Sequence, residues 1–491
     1  MAQAPPSSAR ATVDESDAAI LASITVPSSS PRSRFVNWGL SFECTPLAIF
    51  EPETEEHCAL VLAMARREGR VLKAVGVGHS PSDLVCTGDF MLRMTKMARL
   101  LEVNVEKAYV VAEVGITLTA LHIELAKHGL AMRNVGSISD QTLGGIVTTA
   151  SHGSGIGFAS MSTDVSALTL LLADGSVAQC SRTEQEDLFL ATLCGLGATG
   201  IILRIQLKVE PAFRLKEELC SRSFEDWVGN FESLVRSAEH VRFWWIAASH
   251  KVKCSTVNRT REPKLPPIPW FYSSFLAFHV VQLLLFIGRL WPYLNTLTGI
   301  FVSWLAAAPV TLVDDGPKIF NVECRYPQHT TEWAVPLANA PACLRELKNW
   351  MDSEAKDPHG LRPHFPFEVR FSKEDDIWLS PAYGRETCWI GIAQYRPYGF
   401  NVPYATFFKR YEAIVARHGG RPHWAKAHPL TPPQLRKMYP KFADFVRVLE
   451  EVDPHGVFRN EYVRRHVFGE EILAEKGEGR WGRVWKARRL L

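Results

Sequence analysis

Ala74-Val75-Gly76-Val77-Gly78-His79-Ser80-Pro81-Ser82 is the stretch whose reading decides the fold. It continues an apolar run, Val71-Leu72-Lys73-Ala74-Val75, of strand character. Glycines lack a Cβ, so this backbone can turn tightly and come close to something flat or charged. Successive N–H groups in such a turn form a concave anion site fit for a pyrophosphate. His79 stands at the lip, where an imidazole could bond covalently to whatever lies there. The dinucleotide fingerprint Gly-x-Gly-x-x-Gly is not met, because Gly76-Val77-Gly78 has no third glycine at the required spacing.

Two more stretches of small residues follow. Gly136-Ser137-Ile138-Ser139-Asp140-Gln141-Thr142-Leu143-Gly144-Gly145 leads to Thr148-Thr149-Ala150-Ser151-His152-Gly153-Ser154-Gly155. Leu196-Gly197-Ala198-Thr199-Gly200 then feeds the apolar Ile201-Ile202. Many donors and little bulk suit backbone wrapped around a large planar group. Strands and helices alternate from about residue 35 to 211. Residues 53–68 read as a helix with Cys58, Leu62 and Ala65 on one face, 109–114 as a strand, 118–128 as a helix, and 165–173 as a strand closed by Asp174-Gly175. The alternation fits two small α/β subdomains clasping a ligand. Beyond Pro211 it stops. Residues 242–246 and 365–371 read as strands, and 343–352 and 404–417 as helices, which suits an antiparallel sheet covered on one face. The fold class expected is therefore α+β.

Composition narrows the function classes. A chain of 491 residues has room for two or three domains. Its net charge of +3 gives no support to a nucleic-acid partner. None of the ten cysteines stands in a Cys-x-x-Cys pair, so neither a zinc site nor a disulfide framework is expected. Free thiols in a reducing compartment are the plain reading. Residues 1–33, rich in Ala, Ser and Pro, bury too little to order themselves and are expected to be disordered, with no secretory signal.

Residues 270–313 are very apolar, interrupted by His279, Gln282, Arg289 and Asn295. The two halves, 270–288 and 293–313, are each about the length of one bilayer crossing. Both flanks, Lys264 and Lys318, rejoin the same soluble unit, so the chain crosses twice or not at all. The expectation is a hairpin embedded in, or lying upon, one membrane face. Trp270, Tyr272, Trp291, Tyr293 and Trp304 would suit the interface. The competing reading is a buried helical hairpin.

Three further stretches stand in the C-terminal half: Phe367-Glu368-Val369-Arg370-Phe371, Arg421-Pro422-His423-Trp424-Ala425-Lys426-Ala427-His428, and Asp453-Pro454-His455-Gly456-Val457-Phe458-Arg459-Asn460. Together with the glycine-rich stretches they resemble the sugar-1,4-lactone oxidases of the vanillyl-alcohol-oxidase flavoprotein superfamily, fungal members most and animal members next. The likeness runs from about residue 35 to 468. It implies an FAD-binding domain at 34–212, a substrate-binding cap at 213–440 carrying the apolar segment 268–313, and a segment 441–491 that returns to the FAD domain.

The resemblance also implies site residues. FAD would be linked covalently through His79 and cradled by Ala74, Val75, Gly76, Val77, Gly78, Ser80, Ser137, Thr142, Gly145, Thr149, Ala150, Ser151, His152 and Ile201. Glu368, Arg370 and Lys426 would be catalytic. Residues 368 and 370 share one face of a strand. There Arg370 would offer a planar fork of donors and stabilise negative charge on the reduced flavin, while Glu368 would accept a hydrogen bond from a substrate hydroxyl. Lys426 would assist loss of the hydroxyl proton as hydride leaves C2. His423 and His428 would support the site, and no metal is expected. Gly136 would leave room for O2 beside the flavin ring.

The implied activity is oxidation of an aldono-1,4-lactone at C2, D-arabinono-1,4-lactone favoured, yielding D-erythroascorbate or ascorbate and H2O2. Its partners are the lactone, O2 and a membrane, with no nucleic acid and no obligate protein partner. The location implied is intracellular, at the mitochondrial outer membrane or endoplasmic reticulum. Alternatives are an oxidase of L-gulono- or L-galactono-1,4-lactone, a cytochrome-c-linked dehydrogenase, and an inactive membrane-tethered flavin-binding protein.

Overall fold

The computed structural model describes residues 15–321 and 325–470, with the strand backbones Glu475–Gly479 and Gly482–Lys486. Its fold begins with a capped helix. Thr54 Oγ1 accepts from the His57 N–H at 3.3 Å, and Gly69 at φ 62° ends helix Glu55–Glu68. The helix buries Cys58, Val61, Leu62 and Ala65 in one core with Leu72, Phe90 and Leu92. Those last three belong to a parallel sheet ordered Ala48–Phe50, Phe90–Arg93, Leu72–Val75. A second sheet is antiparallel, ordered Val177–Ser181, Val165–Leu171, Ile201–Lys208, Tyr109–Glu113, Leu100–Asn104. The short helix Leu143–Thr148 leaves the small-residue stretch between these two lobes.

The cap is one antiparallel sheet of eight strands. Their order is Val310–Asp315, Arg214–Ser223, Lys251–Thr260, His240–Ile246, Phe367–Ser372, Thr387–Tyr395, Gln328–Pro336, Arg421–Pro422. Helices Ala340–Lys356 and Ala405–Arg417 cover one face, where Tyr411 donates to the Ile390 carbonyl at 2.5 Å and Phe367 meets the Phe407 and Tyr411 rings. Glu368 and Arg370 alternate with Phe367, Val369 and Phe371, and so point to the other face. After helix Phe442–Val452 the chain touches the first lobe again. Val457 accepts from Leu72 N–H at 2.7 Å, and Asn460 Nδ2 donates to the Leu84 and Cys86 carbonyls at 2.9 Å each.

Two expectations need correcting. Part of the region expected to be disordered is ordered: Glu15–Ile24 is a helix, Thr25 bridges to Phe50, and Ile24 and Val26 are buried. Residues 1–14 lie outside the described residues. Ile20, Leu21, Ile24 and Val26 give the segment enough apolar surface to dock, a signal diluted in the Ala/Ser/Pro average.

The apolar segment is a hairpin, but its halves are unequal. Helix Phe271–Gly288 is long and apolar enough to cross a bilayer, with a π-helical first part, Phe271–Val280. The second helix, Tyr293–Leu305, has 13 residues. At 1.5 Å per residue it spans about 20 Å, short of a hydrocarbon core of about 30 Å. Val310–Asp315 then joins the cap sheet as an edge strand. The buried-hairpin reading also fails, because only 22% of Phe271–Gly288 is buried. One side packs through Val281 and Leu285 against Tyr326, Tyr395 and Phe365. The other side leaves Trp270, Leu290 and Trp304 exposed at 64%, 86% and 65%.

A buried lysine stands in the core of the first lobe. Lys73 is fully buried on strand Leu72–Val75, and its ammonium donates to the Leu196 carbonyl at 2.5 Å. Burial pushes its pKa from 10.5 down to about 7, with Glu461 opposing. Between those two values the folded state binds one proton fewer than the unfolded chain, so this group adds stability as pH rises across that window. Lys73→Met keeps the length and removes the titration. It is expected to flatten the stability–pH curve there by up to about 1.4 kcal/mol per pH unit. Chemical denaturation across the window measures this, and parallel curves for the two proteins would refute it.

Candidate active site

The cleft between the two lobes is shaped by backbone. A Cβ on Gly76 would lie 2.0 Å from Thr142 Oγ1, and Gly78 has φ 78° with Phe35 against it, so neither position accepts a side chain. Two adjoining cavities open here, each of about 80 Å3, sharing Val75, Gly76, Ser80, Thr142, Gly145 and Thr149 as walls. The first extends to Lys73, Gly197, Gly200 and Ile202. The second extends past His79 to His423 and Lys426 of the cap. The two cavities meet at the first glycine loop, so a long ligand reaching into both would have its middle against that loop.

His79 stands in the second cavity, its ring 5.4 Å from that of Trp38 and nearly parallel to it. Burial lowers its pKa, Asp140 opposing and Lys426 adding, so the imidazole is held neutral. Its Nδ1 is buried with no hydrogen-bond partner among the described residues. A neutral imidazole at a cavity wall, with one ring nitrogen unpartnered among the described residues, has the chemistry for a covalent bond to a ligand there.

The cap supplies a charged cluster by strand register. Glu332 pairs with Gly391, which pairs with Glu368; one step along, Ala334 pairs with Trp389, which pairs with Arg370. Two carboxylates thus flank a residue without a side chain, and a guanidinium flanks an indole. Arg370 Nη2 lies 3.3 Å from Glu332 Oε1 and 3.4 Å from Glu368 Oε2. Lys426 Nζ is 3.8 Å from Glu332 Oε2, and His152 Nε2 is 3.3 Å from Glu332 Oε1. His152 stacks on Trp389 at 3.7 Å between ring centres. Ser137 Oγ is 3.5 Å from Glu368 Oε1.

Charges in this cluster stay on. Burial works against the Arg370 guanidinium, but Glu368 and Glu332 outweigh it and raise its pKa. Burial would likewise raise the Glu332 carboxyl, yet His152, Arg370 and Lys426 hold it well below the usual carboxylate range. Of these three, Arg370 carries the argument, because burial pushes the His152 imidazole down despite Glu332. His423 is pushed down to about 3 by burial. His152, Glu332 and His423 have donor atoms within 4.8 Å of one another, a set with metal-ligand chemistry. The carboxylate already faces two cations, however, and a divalent ion would be a third.

The expected site residues therefore fall into two groups. Val75, Gly76, Val77, Gly78, His79, Ser80, Thr142, Gly145, Thr149, Ser151 and Lys426 line one cavity, with Ala74 in its neighbour. Glu368, Arg370, Ser137 and His152 meet in the adjoining cluster. Three expected residues belong to neither group: Ile201, whose neighbours Gly200 and Ile202 line a cavity; Ala150, which holds φ 47° at the end of helix Leu143–Thr148; and Gly136. Gly136 has space: a Cβ there would meet only the His152 carbonyl at 3.4 Å and Met161 Cε at 3.8 Å. Sequence reasoning missed Glu332, Lys73 and Gln141. Glu332 left a signal, an acid inside the run Thr331-Glu332-Trp333-Ala334-Val335, where a strand otherwise reads as core.

Comparison with known proteins identifies the family. The D-arabinono-1,4-lactone oxidase family matches residues 205–466, and the FAD binding domain family matches residues 46–181. The chain is 37% identical over 439 residues to L-gulonolactone oxidase of Scyliorhinus torazame, covering 89% of this chain and 98% of that protein. It is 32% identical to L-gulono-1,4-lactone dehydrogenase of Mycobacterium tuberculosis, covering 87% and 98%. It is 29% identical to D-arabinono-1,4-lactone oxidase of Yarrowia lipolytica, covering 79% and 85%. In three dimensions it is similar to cholesterol oxidase from B. sterolicum, with TM-score 0.75, 15% identity, and 90% and 99% of the two chains covered. The chain belongs to the aldonolactone oxidase family of oxidoreductases and carries that family's FAD-binding domain.

Proposed function

We propose that the protein oxidises an aldono-1,4-lactone at C2 and passes the electrons to O2, with FAD bonded to His79. One observation carries the reading: His79 and Lys426, 347 positions apart in sequence, line a single cavity beside the Glu368–Arg370 pair. D-arabinono-1,4-lactone, the substrate favoured by the motifs, and L-gulono-1,4-lactone, named in the relatives of higher identity, are the substrates to assay first. FAD, held against the first glycine loop and His79, would supply a two-electron acceptor for the C2 hydride, and O2 the terminal acceptor that leaves as H2O2.

The chain's residues do the rest. Arg370 presents its fork to lactone oxygens. Glu368, half-buried and anionic beside Arg370, accepts from a sugar hydroxyl. Lys426 reaches the same cavity as His79 and manages the C2 hydroxyl proton. The stack of His152 on Trp389 holds both rings beside the Glu332–Arg370 pair.

The exposed side of the apolar hairpin supports a second part of the reading. It lies in one leaflet of a membrane and does not cross. Trp270, Tyr272, Trp291 and Tyr293 ring the exposed surface, and Arg289 folds back over Phe400 at 4.7 Å with its Nε on the Asn401 carbonyl. Packed lengthwise on the cap, the long helix cannot stand across a bilayer without drawing the cap in.

Three measurements test these points. The purified protein is expected to be yellow, and the colour is expected to stay with the polypeptide on acid precipitation; His79→Ala is expected to release it, and dye retained by that variant would remove His79 as the attachment point. Gly136→Ala is expected to fold normally and be reduced by lactone at the usual rate, because a Cβ there would meet only the His152 carbonyl and Met161 Cε. Its reoxidation by O2 is expected to slow at least about tenfold, a barrier increase of about 1.4 kcal/mol. Equal reoxidation in stopped flow would exclude the glycine as an oxygen path. Replacing Leu290 and Trp291 with Glu is expected to move the protein from sedimented membranes to the supernatant without loss of activity; unchanged sedimentation would sink the docking surface.

A further inference from the structure

Glu332 lies in none of the motifs that mark the site, yet the site's charged groups converge on it. Its strand, Gln328–Pro336, is the seventh in the cap sheet, and its carboxylate is almost fully buried. Arg370 comes from a different strand of the sheet, Lys426 from the loop after Arg421–Pro422, and His152 from the flavin lobe. One carboxylate thus ties three separate pieces of chain, with contacts of 3.3, 3.8 and 3.3 Å. A purely structural ion pair would need only one of them.

The charge count gives this arrangement a purpose. Arg370 and Lys426 bring two positive charges to the substrate face. Glu368 and Glu332 bring two negative charges, and His152 is kept neutral by burial. The cluster is balanced. Without Glu332 it would carry one net positive charge in a buried setting, where electrostatic preference is strong. A sugar lactone is neutral, whereas the aldonate formed when its ring hydrolyses is an anion carrying nearly the same hydroxyls.

We propose that Glu332 is a positioning and specificity-determining residue, which fixes Arg370 and Lys426 in place and cancels one of their charges, so that the site takes the neutral lactone and rejects the ring-opened aldonate. The substrate half of this inference rests on the lactone-oxidising reading; the charge half does not.

The test is E332Q in the flavin-loaded protein, which keeps the shape and removes the charge. Sulfite, an anion that adds reversibly to oxidised flavins and bleaches their visible band, reports charge at that face whatever the substrate is. Its dissociation constant is expected to fall about tenfold in E332Q. The aldonate matching the best lactone is expected to become a stronger competitive inhibitor by a similar factor, while flavin reduction by the lactone slows because Arg370 and Lys426 lose their tether. A merely structural role would weaken anion binding or leave it unchanged, and either result for sulfite, with the flavin spectrum intact, overturns the proposal. Should E332Q not fold, Lys426→Gln removes a cation from the same balance and is expected to weaken sulfite; unchanged affinity there overturns it equally. Sulfite binding that responds while no aldonolactone reduces the wild-type flavin would uphold the charge balance and sink the substrate reading alone.

Discussion

The close approach of Gly76 to Thr142 is the contact on which the cleft depends. The first glycine loop ends a parallel strand of one lobe, and Thr142 opens helix Leu143–Thr148 at the edge of the other. Their separation leaves no room for even a methyl group. The cavities between the lobes are therefore lined largely by glycines and short hydroxyl side chains from both loops. A site built of main chain is fixed by the fold itself, since no rotamer has to be ordered when a ligand arrives.

The cap works differently. Its contribution is a row of side chains set by antiparallel register, in which Gly391 separates Glu332 from Glu368 and Trp389 carries both Arg370 and the stacked His152. Buried ions are costly in isolation, and each here is kept charged by the others. The lobe cavity supplies shape and the cap supplies charge. The two meet where His79 and Lys426 line the same wall.

Much of this was legible in the sequence, for identifiable reasons. Gly76-Val77-Gly78-His79 was readable because tight turns need glycine, and Glu368 and Arg370 were readable as neighbours because strand side chains repeat every second residue. The pairing of Glu332 with Gly391 was not, because register between strands 59 residues apart leaves no local mark. The length of the second apolar helix was misjudged for a related reason. Hydropathy runs on through Val310, Leu312 and Val313, but those residues leave the helix to complete a sheet edge. Composition likewise hid the helix Glu15–Ile24 inside a region of weak average hydropathy.

The base of the apolar hairpin is stapled. The Leu265 N–H donates to the Val313 carbonyl at 3.0 Å, and Lys264 pairs with both Asp314 and Asp315. Entry and exit are thus side by side at the rim of the sheet, on the far side of strand Phe367–Ser372 from Glu332. A segment with adjacent ends can be lengthened, trimmed or exchanged at little cost in loop-closure entropy. The hairpin can therefore vary in length or surface without disturbing the register that brings Glu332, Glu368 and Arg370 together.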